Sequence, residues 1–329
     1  MDLSVAIPTY NGAKRLQLVL NALQAQKDTE SISWEIIVVD NNSDDDTRKV
    51  VEGYQAEWAR PYPLKYCFEE RQGAGFARIK AVKEAEGKLI GFLDDDCVPE
   101  VNWVFEALRF ALNHPKAGIW GSRIFPKFEA DPPKDFVRIA KHFAISAPDE
   151  DQEKILKAQI LQLPPSAGLV CRKNSWVESV PGEPTLTGKA KSVFPQHMQG
   201  EDDEISLHIF KVGWEIWYNP KMRVFHYIPQ ERLTKKYILP LVRANGLALY
   251  SLRSVLAKAW EKPVIFFKIF LGFSYRALLL LLRYRRQAFS DLVTRSELEF
   301  FISGAISPFW SILHKSAKKP AGSAYLDNR

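Results

Sequence analysis

The sequence predicts an α/β protein whose core is a doubly wound, mostly parallel sheet, with a helical C-terminal appendage. Short apolar segments rich in β-branched residues occur at 3–7, 34–39 and 89–93, as expected of parallel strands that are covered on both faces. The first two segments are each followed by a helical pattern. Alternation of strands with helices is typical of this fold class.

The first predicted strand, residues 3–7, ends at a polar turn. The turn begins with Pro8, Thr9 and Tyr10, and leucines at helical spacing follow from Leu16. This order of strand, turn and helix predicts the first unit of the sheet.

The second predicted strand, residues 34–39, ends at Asp40. Ser43 with Asp46 three residues later reads as a capping box that opens a helix continuing through Val51. The second unit therefore repeats the pattern of the first.

The third predicted strand, residues 89–93, is followed directly by Asp94, Asp95 and Asp96. Two unit charges about 4 Å apart repel by about 4 kcal/mol at the effective dielectric of a protein surface, so three adjacent carboxylates call for a cation. Oxygen ligands on a short turn suit Mg²⁺ or Mn²⁺, which leave room for phosphates. A solvated acidic turn is the alternative.

In doubly wound sheets, ligands bind outside the carboxyl ends of the strands. Thr9, Asp40 and the acidic run 94–96 all follow predicted strands, so we expect them to converge on one crevice. A carboxylate there can accept a hydrogen bond from a nucleobase or a ribose, and a metal ion can hold a diphosphate. The residues predict a site for a nucleotide diphosphate.

Four motifs occur along the chain in the order SVAIPTYNGAKRL, EIIVVDNNSDDDT, GFLDDDCVPE and GEDDEISLHIFKVGWEIWYNP. In this order they resemble glycosyltransferase family 2, a family of inverting enzymes with the GT-A fold. The resemblance covers residues 1 to roughly 230. It implies a GT-A catalytic domain over 1–232 with a mixed, mostly parallel sheet, and residues 164–173 resemble the family's stretch beside the acceptor.

The resemblance also assigns roles to individual residues. It implies that Asp202, preceded by Glu201, supplies the general base. It implies a metal site for Mg²⁺ or Mn²⁺ formed by Asp94, Asp96 and His226. The positions matched to the nucleotide are Pro8, Thr9, Tyr10, Asp40, Asn42, Arg71, Arg78, Asp94 and Asp95.

Two of these candidates also have structural explanations. Glu201 and Asp202 lie in an acidic run predicted to open a helix that ends at Gly213, and the helix dipole favours acids in a first turn without any catalysis. His226 lies in a strand-like stretch, and a lone histidine is more often a hydrogen-bonded structural residue than a ligand. Both interpretations stay open for each residue.

Arg71 and Arg78 flank the glycine-containing stretch 72–76. Arginine suits phosphate or carboxylate because its planar fork donates several hydrogen bonds. The family reads roughly G-x-x-x-A-R-N here, so Ala77 and Arg78 agree while Ile79 departs. Ordinary surface arginines on a helix are the alternative for both.

The parts of the chain before and after residue 232 carry net charges of opposite sign. Residues 233–329 contain 16 Lys and Arg against five Asp and Glu, a net charge of +11, while residues 1–232 carry −5. The apolar stretch 264–282 is interrupted mainly by Lys268 and Arg276, which fall with Arg283 within about 80° on a helical wheel. We therefore expect 233–329 to be a basic helical region with an interfacial helix that binds anionic lipid headgroups. A helix packed on the catalytic domain is the alternative.

Together these features predict a metal-dependent glycosyltransferase that moves a sugar from a nucleotide diphosphate donor, with UDP-sugars favoured, to a glycan or lipid-linked acceptor in polysaccharide synthesis. The three cysteines lack the spacing of a metal site, and a predicted strand begins directly at the N-terminus, which together favour a cytoplasmic location. We expect the protein to associate with the inner face of the membrane. No nucleic-acid motif is recognisable. The alternatives are a sugar-nucleotide nucleotidyltransferase and an inactive glycan-binding relative.

Overall fold

A computed structural model describes residues 1–146, 151–183, 185–186 and 200–315. Nine strands form one sheet in this part of the chain. They are β1 (Leu3–Thr9), β2 (Trp34–Asp40), β3 (Leu64–Phe68), β4 (Leu89–Phe92), β5 (Cys97–Pro99), β6 (Ala117–Phe128), β7 (Lys154–Ile155), β8 (Leu169–Arg172) and β9 (Glu215–Ile228).

Helices alternate with the strands and then continue alone toward the C-terminus. They are α1 (Leu16–Gln24), α2 (Thr47–Ala56), α3 (Ala74–Glu84), α4 (Trp103–Asn113), α5 (Lys173–Ser179), α6 (Glu201–Lys211), α7 (Lys235–Val255), α8 (Lys262–Tyr284), α9 (Gln287–Ser290) and α10 (Leu292–Lys315).

The sheet is mixed and mostly parallel, which confirms the predicted fold class. Its order is β3-β2-β1-β4-β8-β6-β9-β5, with β7 against β9. β1 runs parallel to β2 and β4, and β2 runs parallel to β3. β8 lies antiparallel between β4 and β6, while β9 runs parallel to β6 and antiparallel to β5. The carboxyl ends of β1, β2 and β4 consequently meet at one edge.

Each face of the sheet has its own apolar core because neighbouring residues of a strand point to opposite faces. Val5 and Ile7 of β1 share a buried cluster with residues of α1 and α4. Ala6, between them, belongs to a second cluster with residues of α3 and α6. Helices therefore cover both faces, as the apolar strands predicted.

The predicted capping box at Ser43 is wrong. α2 begins at Thr47, and its N-cap residue Asp46 makes no side-chain capping bond. The Ser43 hydroxyl instead accepts the backbone N–H of Asn11 at 3.0 Å. A contact between the turns after β1 and β2 competes with the local cap, and it ties together the two loops at the carboxyl edge.

The C-terminal helices are not separate from the sheet. Ala248 and Leu252 of α7 are buried in the same cluster as Ile205 of α6. Ile238 of α7 is buried with Phe136, which belongs to the segment after β6. The division at residue 232 stays a prediction, because apolar contacts cross it.

Candidate active site

The carboxyl ends of β1, β2 and β4 are joined by hydrogen bonds. Thr9 and Asp40 are paired in the parallel ladder, and the Asn41 backbone N–H donates to the Thr9 carbonyl at 2.8 Å. The Thr9 hydroxyl donates to Asp95 Oδ2 at 2.6 Å. The predicted convergence of these residues on one edge is therefore observed.

Asp40 is buried and holds two hydrogen-bond donors. Its Oδ1 accepts the Ser43 backbone N–H at 2.9 Å, and its Oδ2 accepts the Tyr66 hydroxyl at 2.8 Å. Burial, followed by the neighbouring Asp40 carboxylate, raises the pKa of Tyr66, so the phenol stays a donor. Each carboxylate oxygen has a second lone pair that can accept an imide N–H of a base. Tyr66 was not predicted, since only its place on β3 brings it there.

A loop between β3 and α3 closes beside Asp40. The Asn41 side chain donates to the Arg71 carbonyl at 2.6 Å and accepts the Gly73 backbone N–H at 2.8 Å. The Asn42 side chain donates to the Glu70 carbonyl at 3.2 Å. Gly73 has φ of 141°, a conformation that favours glycine. The glycine-containing stretch thus forms a loop that closes beside Asp40.

The two predicted arginines lie in different environments. The Arg71 guanidinium binds Glu69 at 3.0 Å and Glu183 at 3.1 Å. Its side chain is half-exposed, so these contacts are surface ion pairs. Arg78 is only 3% exposed and donates to Glu201 Oε1 at 2.8 Å. Burial lowers the pKa of Arg78, but the negative charges around it, Glu201 foremost, raise the pKa further, so this arginine is held charged.

Each of the three consecutive aspartates has its own arginine from another part of the chain. Asp94 lies 3.5 Å from Arg78 Nη2. Asp95 accepts two bonds from Arg15, at 2.9 and 3.0 Å. Asp96 binds the guanidinium of a third arginine, Arg232, at 2.7 Å. Arg15 lies in the first motif and Arg232 follows β9, but only the fold pairs them with the acidic run.

Asp96 and His226 come together because β5 pairs with β9. Cys97 is opposite His226 in that antiparallel ladder, and the Tyr227 backbone N–H donates to the Asp96 carbonyl at 2.9 Å. His226 Nε2 lies 3.6 Å from Asp96 Oδ1, and the Cys97 thiol donates to the same oxygen at 3.3 Å. Burial, with the nearby charge of Asp96, raises the pKa of Cys97 well above its ordinary value, so it is a neutral thiol.

The donor atoms at this point fit a divalent ion. One ligand atom each from Asp96, Cys97 and His226 lie within 4.8 Å of one another. The carboxylate oxygen and imidazole nitrogen suit Mn²⁺ or Mg²⁺ better than the neutral thiol does. His226 Nδ1 is buried and has no hydrogen-bond partner within the described ranges, so no hydrogen bond at that atom fixes the orientation of the ring.

Asp94, which the resemblance placed on the metal, faces Arg78 rather than this group. Its side chain is 35% exposed. Desolvation raises the pKa of Asp94, Arg78 lowers it, and Asp96 and Asp202 raise it further. Asp94 is thus within electrostatic reach of both Asp96 and Asp202, and its role as a ligand stays a prediction.

Asp202 lies in the first turn of α6, as predicted. Its Oδ2 accepts the Ser166 backbone N–H at 2.9 Å and its Oδ1 accepts the Asp203 backbone N–H at 3.0 Å. Ser166 belongs to the stretch 164–173 that precedes and forms β8. The carboxylate is consequently fixed between the helix and that stretch, with lone pairs left to accept a proton.

Comparison with known proteins bears on the part of the chain that contains Thr9, Asp40 and the acidic run 94–96. Residues 4–162 match the family model described as glycosyl transferase family 2. These residues form a family 2 glycosyltransferase domain. The chain is 35% identical over 102 residues to the glycosyltransferase AglE of Haloferax volcanii, which is 31% of this chain and 32% of AglE. The match therefore spans about a third of that relative's length.

Two solved structures are similar over nearly the whole chain. S. aureus TarS 1–349 in complex with UDP has a TM-score of 0.52 at 16% identity, covering 95% of this chain and 92% of that one. The mannosyltransferase PcManGT from Pyrobaculum calidifontis, in complex with GDP-Man and Mn²⁺, has a TM-score of 0.58 at 17% identity, covering 94% and 87%. At these identities the likeness shows the fold, and it confirms the GT-A architecture.

Gly12→Ala tests how tightly the strand ends are packed. A Cβ at Gly12 would lie 2.0 Å from Thr9 Oγ1 and 2.5 Å from Asp95 Oδ2, so we expect the bond between them to break. The free energy of unfolding in urea should fall by about 1.5–3 kcal/mol, the range for a hydrogen bond to a charged group. Gly53→Ala in α2, where a Cβ meets nothing within 4 Å, is the matched control and should stabilise by about 0.5–1 kcal/mol. Equal stability changes in the two variants would contradict this packing.

Asp203→Asn tests the crowding of the acidic turn. Burial, and then the charges of Asp202 and Glu201, raise the pKa of Asp203 well above its ordinary value. The folded state therefore holds this proton more tightly than the unfolded state, and stability is lost as the pH rises through the ordinary carboxylate range and beyond. We expect the variant to have a higher Tm than the native protein at pH 7 and an equal Tm near the pH where both states are protonated. A Tm difference that does not change with pH would be the contrary result.

Proposed function

We propose that this chain is an inverting, metal-dependent glycosyltransferase that uses a nucleotide diphosphate sugar, with UDP-sugars favoured, and a glycan or lipid-linked acceptor in polysaccharide synthesis. The observation that carries the proposal is the meeting of Asp96 with His226, together with Arg78, which lies between Asp94 and Glu201, the neighbour of Asp202. The proposed metal group and the candidate base are thus connected through Asp94, Arg78 and Glu201 at the carboxyl edge of the sheet.

Donor binding is assigned to the strand ends. Asp40, beside the turn of Pro8, Thr9 and Tyr10, would accept from the base, and Asp95 would share its oxygens with a ribose hydroxyl. Asp94, Asp96 and His226 would hold Mg²⁺ or Mn²⁺. A bound divalent ion would supply charge stabilisation for the departing diphosphate. The two similar structures are complexes with UDP in one case and with GDP-Man and Mn²⁺ in the other, which supports this class of donor.

Asp202 is proposed to take the proton of the acceptor hydroxyl as it attacks the anomeric carbon from the face opposite the diphosphate. Two backbone N–H groups, from Ser166 and Asp203, hold the carboxylate in one orientation. Arg78 connects the two halves of the site because it donates to Glu201, the neighbour of Asp202, and lies against Asp94. Displacing either half would disturb the other.

The exposed face of the C-terminal helices suggests where the acceptor is met. Within the described residues, the helical segment Ala259–Tyr284 is long and apolar enough to cross a membrane by length and composition. On α8, Ile269, Ala277 and Leu280 are buried against the other helices, so one side is already used for packing. The exposed apolar side chains of this helix are Val264, Phe267, Leu271, Tyr275, Leu278, Leu279 and Leu282.

These side chains form a surface that fits a lipid interface. At about 100° per residue, Phe267, Leu271 and Leu278 share one face of α8. Lys268 and Arg276 lie on the adjoining face, between the apolar surface and the buried seam. An apolar face flanked by cations matches an anionic bilayer surface, where it enters the acyl boundary and the cations contact headgroups. Exposed Ile302, Ile306, Phe309 and Leu313 add a parallel stripe on α10.

Asp202→Asn tests the assigned base. We expect kcat to fall by about 100- to 10,000-fold, the usual contribution of a positioned base, while the Kd for UDP changes little. Asp203→Asn makes the same substitution at the next position and should keep its turnover, because burial and the charges of Asp202 and Glu201 raise the pKa of Asp203 and disfavour its charged form. Full activity of Asp202→Asn would remove this residue from the mechanism.

Product analysis in the same assay separates the alternatives. Release of a nucleoside diphosphate together with sugar transfer supports the proposal. Release of pyrophosphate would identify a nucleotidyltransferase instead. Binding of sugar without release of either product, for every donor tested, would identify a glycan-binding relative.

Phe267→Glu with Leu271→Glu tests the membrane surface. Sedimentation with phosphatidylglycerol vesicles should fall at least about tenfold, since each side chain gives up about 1.5–3 kcal/mol of apolar burial. Leu112→Glu on α4, at 74% exposure and remote from α8 in the sequence, is the matched control and should bind as the native chain does. Unchanged binding of the double variant would exclude α8 as the contact.

A further inference from the structure

Arg232 occupies the point where a divalent ion would bind. It lies in a short helical turn, Gln230–Leu233, directly after β9. Its Nη2 is 2.7 Å from Asp96 Oδ2, and its Nη1 is 3.4 Å from His226 Nε2. The side chain is 17% exposed, so this contact is sheltered from water.

The guanidinium and a metal ion need the same two acceptors. The lone pair of His226 Nε2 can face Arg232 or coordinate a metal ion, but it cannot do both. Arg232 also binds one oxygen of Asp96, and the other oxygen lies next to His226 and Cys97. Two cations about 4 Å apart repel by several times the thermal energy at a protein surface. Ion binding therefore requires Arg232 to leave.

The other two arginines of the acidic run have no such conflict. Arg15 is held by two bonds to Asp95, and Arg78 is buried between Asp94 and Glu201. Arg232 is attached to the short helical turn that follows β9.

We propose that Arg232 is an internal counter-cation that neutralises Asp96 in the donor-free protein and moves to the donor diphosphate when a divalent ion binds. A planar guanidinium binds phosphate oxygens as it binds a carboxylate. Metal binding and donor binding are then coupled through one side chain, and the return of Arg232 to Asp96 favours metal release with the product. This inference rests on the proposed function and assigns a positioning residue within it.

Arg232→Gln tests the exchange by equilibrium binding rather than by activity. Mn²⁺ affinity of the donor-free protein, measured by electron paramagnetic resonance, should tighten about tenfold in the variant because the competing cation is gone. UDP affinity with Mn²⁺ present should weaken by a similar factor, while uridine affinity should not change, since uridine has no diphosphate. Arg232→Lys keeps the charge and should restore most of both native values.

Arg223→Gln is the matched control. Arg223 lies on β9 near the site, is 47% exposed and pairs with Glu100 at 3.9 Å, so it removes the same charge without touching Asp96. It should leave Mn²⁺, UDP and uridine binding unchanged. Equal effects of the two substitutions would overturn the inference, because loss of any positive charge near the site would then explain them.

Other results separate this inference from the proposed function. If Arg232→Gln leaves donor-free Mn²⁺ binding unchanged or weaker while UDP still promotes Mn²⁺ binding, the exchange is overturned and the metal-dependent function stands. If Mn²⁺ fails to bind the native chain and the variant, with or without UDP, both fail. If the native chain binds UDP but never Mn²⁺, and Arg232→Gln loses UDP, the arginine replaces the ion permanently and the exchange is overturned.

Discussion

Three carboxylates on consecutive residues repel one another, and the site depends on how the fold neutralises them. Asp94, Asp95 and Asp96 follow a buried strand, so water alone cannot screen their charges. Each is neutralised by an arginine from a different part of the chain: one from α3, one from the turn before α1 and one from the turn after β9. The acidic run therefore holds three distant segments against the end of β4.

This neutralisation also connects the proposed donor side of the site to the proposed catalytic side. Arg78 reaches from Asp94 to Glu201, and Glu201 is the first residue of the helix that carries Asp202. On the other side, the pairing of β5 with β9 places His226 beside Asp96. A glycosyltransferase needs the leaving diphosphate and the acceptor hydroxyl to lie on opposite faces of one sugar, and these links fix the separation between the groups assigned to each.

Much of the fold was accessible from the sequence, because the apolar strands and the helical spacing are local patterns. The strands that end near Thr9, Asp40 and Asp94 were predicted to within two residues of their observed ends, and the helix opening at Glu201 was also predicted. The predicted capping box at Ser43 was wrong because the Ser43 hydroxyl accepts a long-range hydrogen bond from Asn11 instead of forming the local cap. β3 was missed, and with it Tyr66, whose hydroxyl bonds Asp40.

The sequence by itself determined which residues lie at strand ends, because the strand patterns and the acidic run are local features of the chain. Those residues mark the carboxyl edge of the sheet as the candidate site. Only the tertiary structure decided which charges meet there. Arg15, Arg78 and Arg232 look alike in sequence, yet one binds Asp95, one is buried with Glu201 and one lies between Asp96 and His226. The physical reason is that ion pairs across a sheet edge depend on strand order and on the paths of loops, which no local pattern encodes.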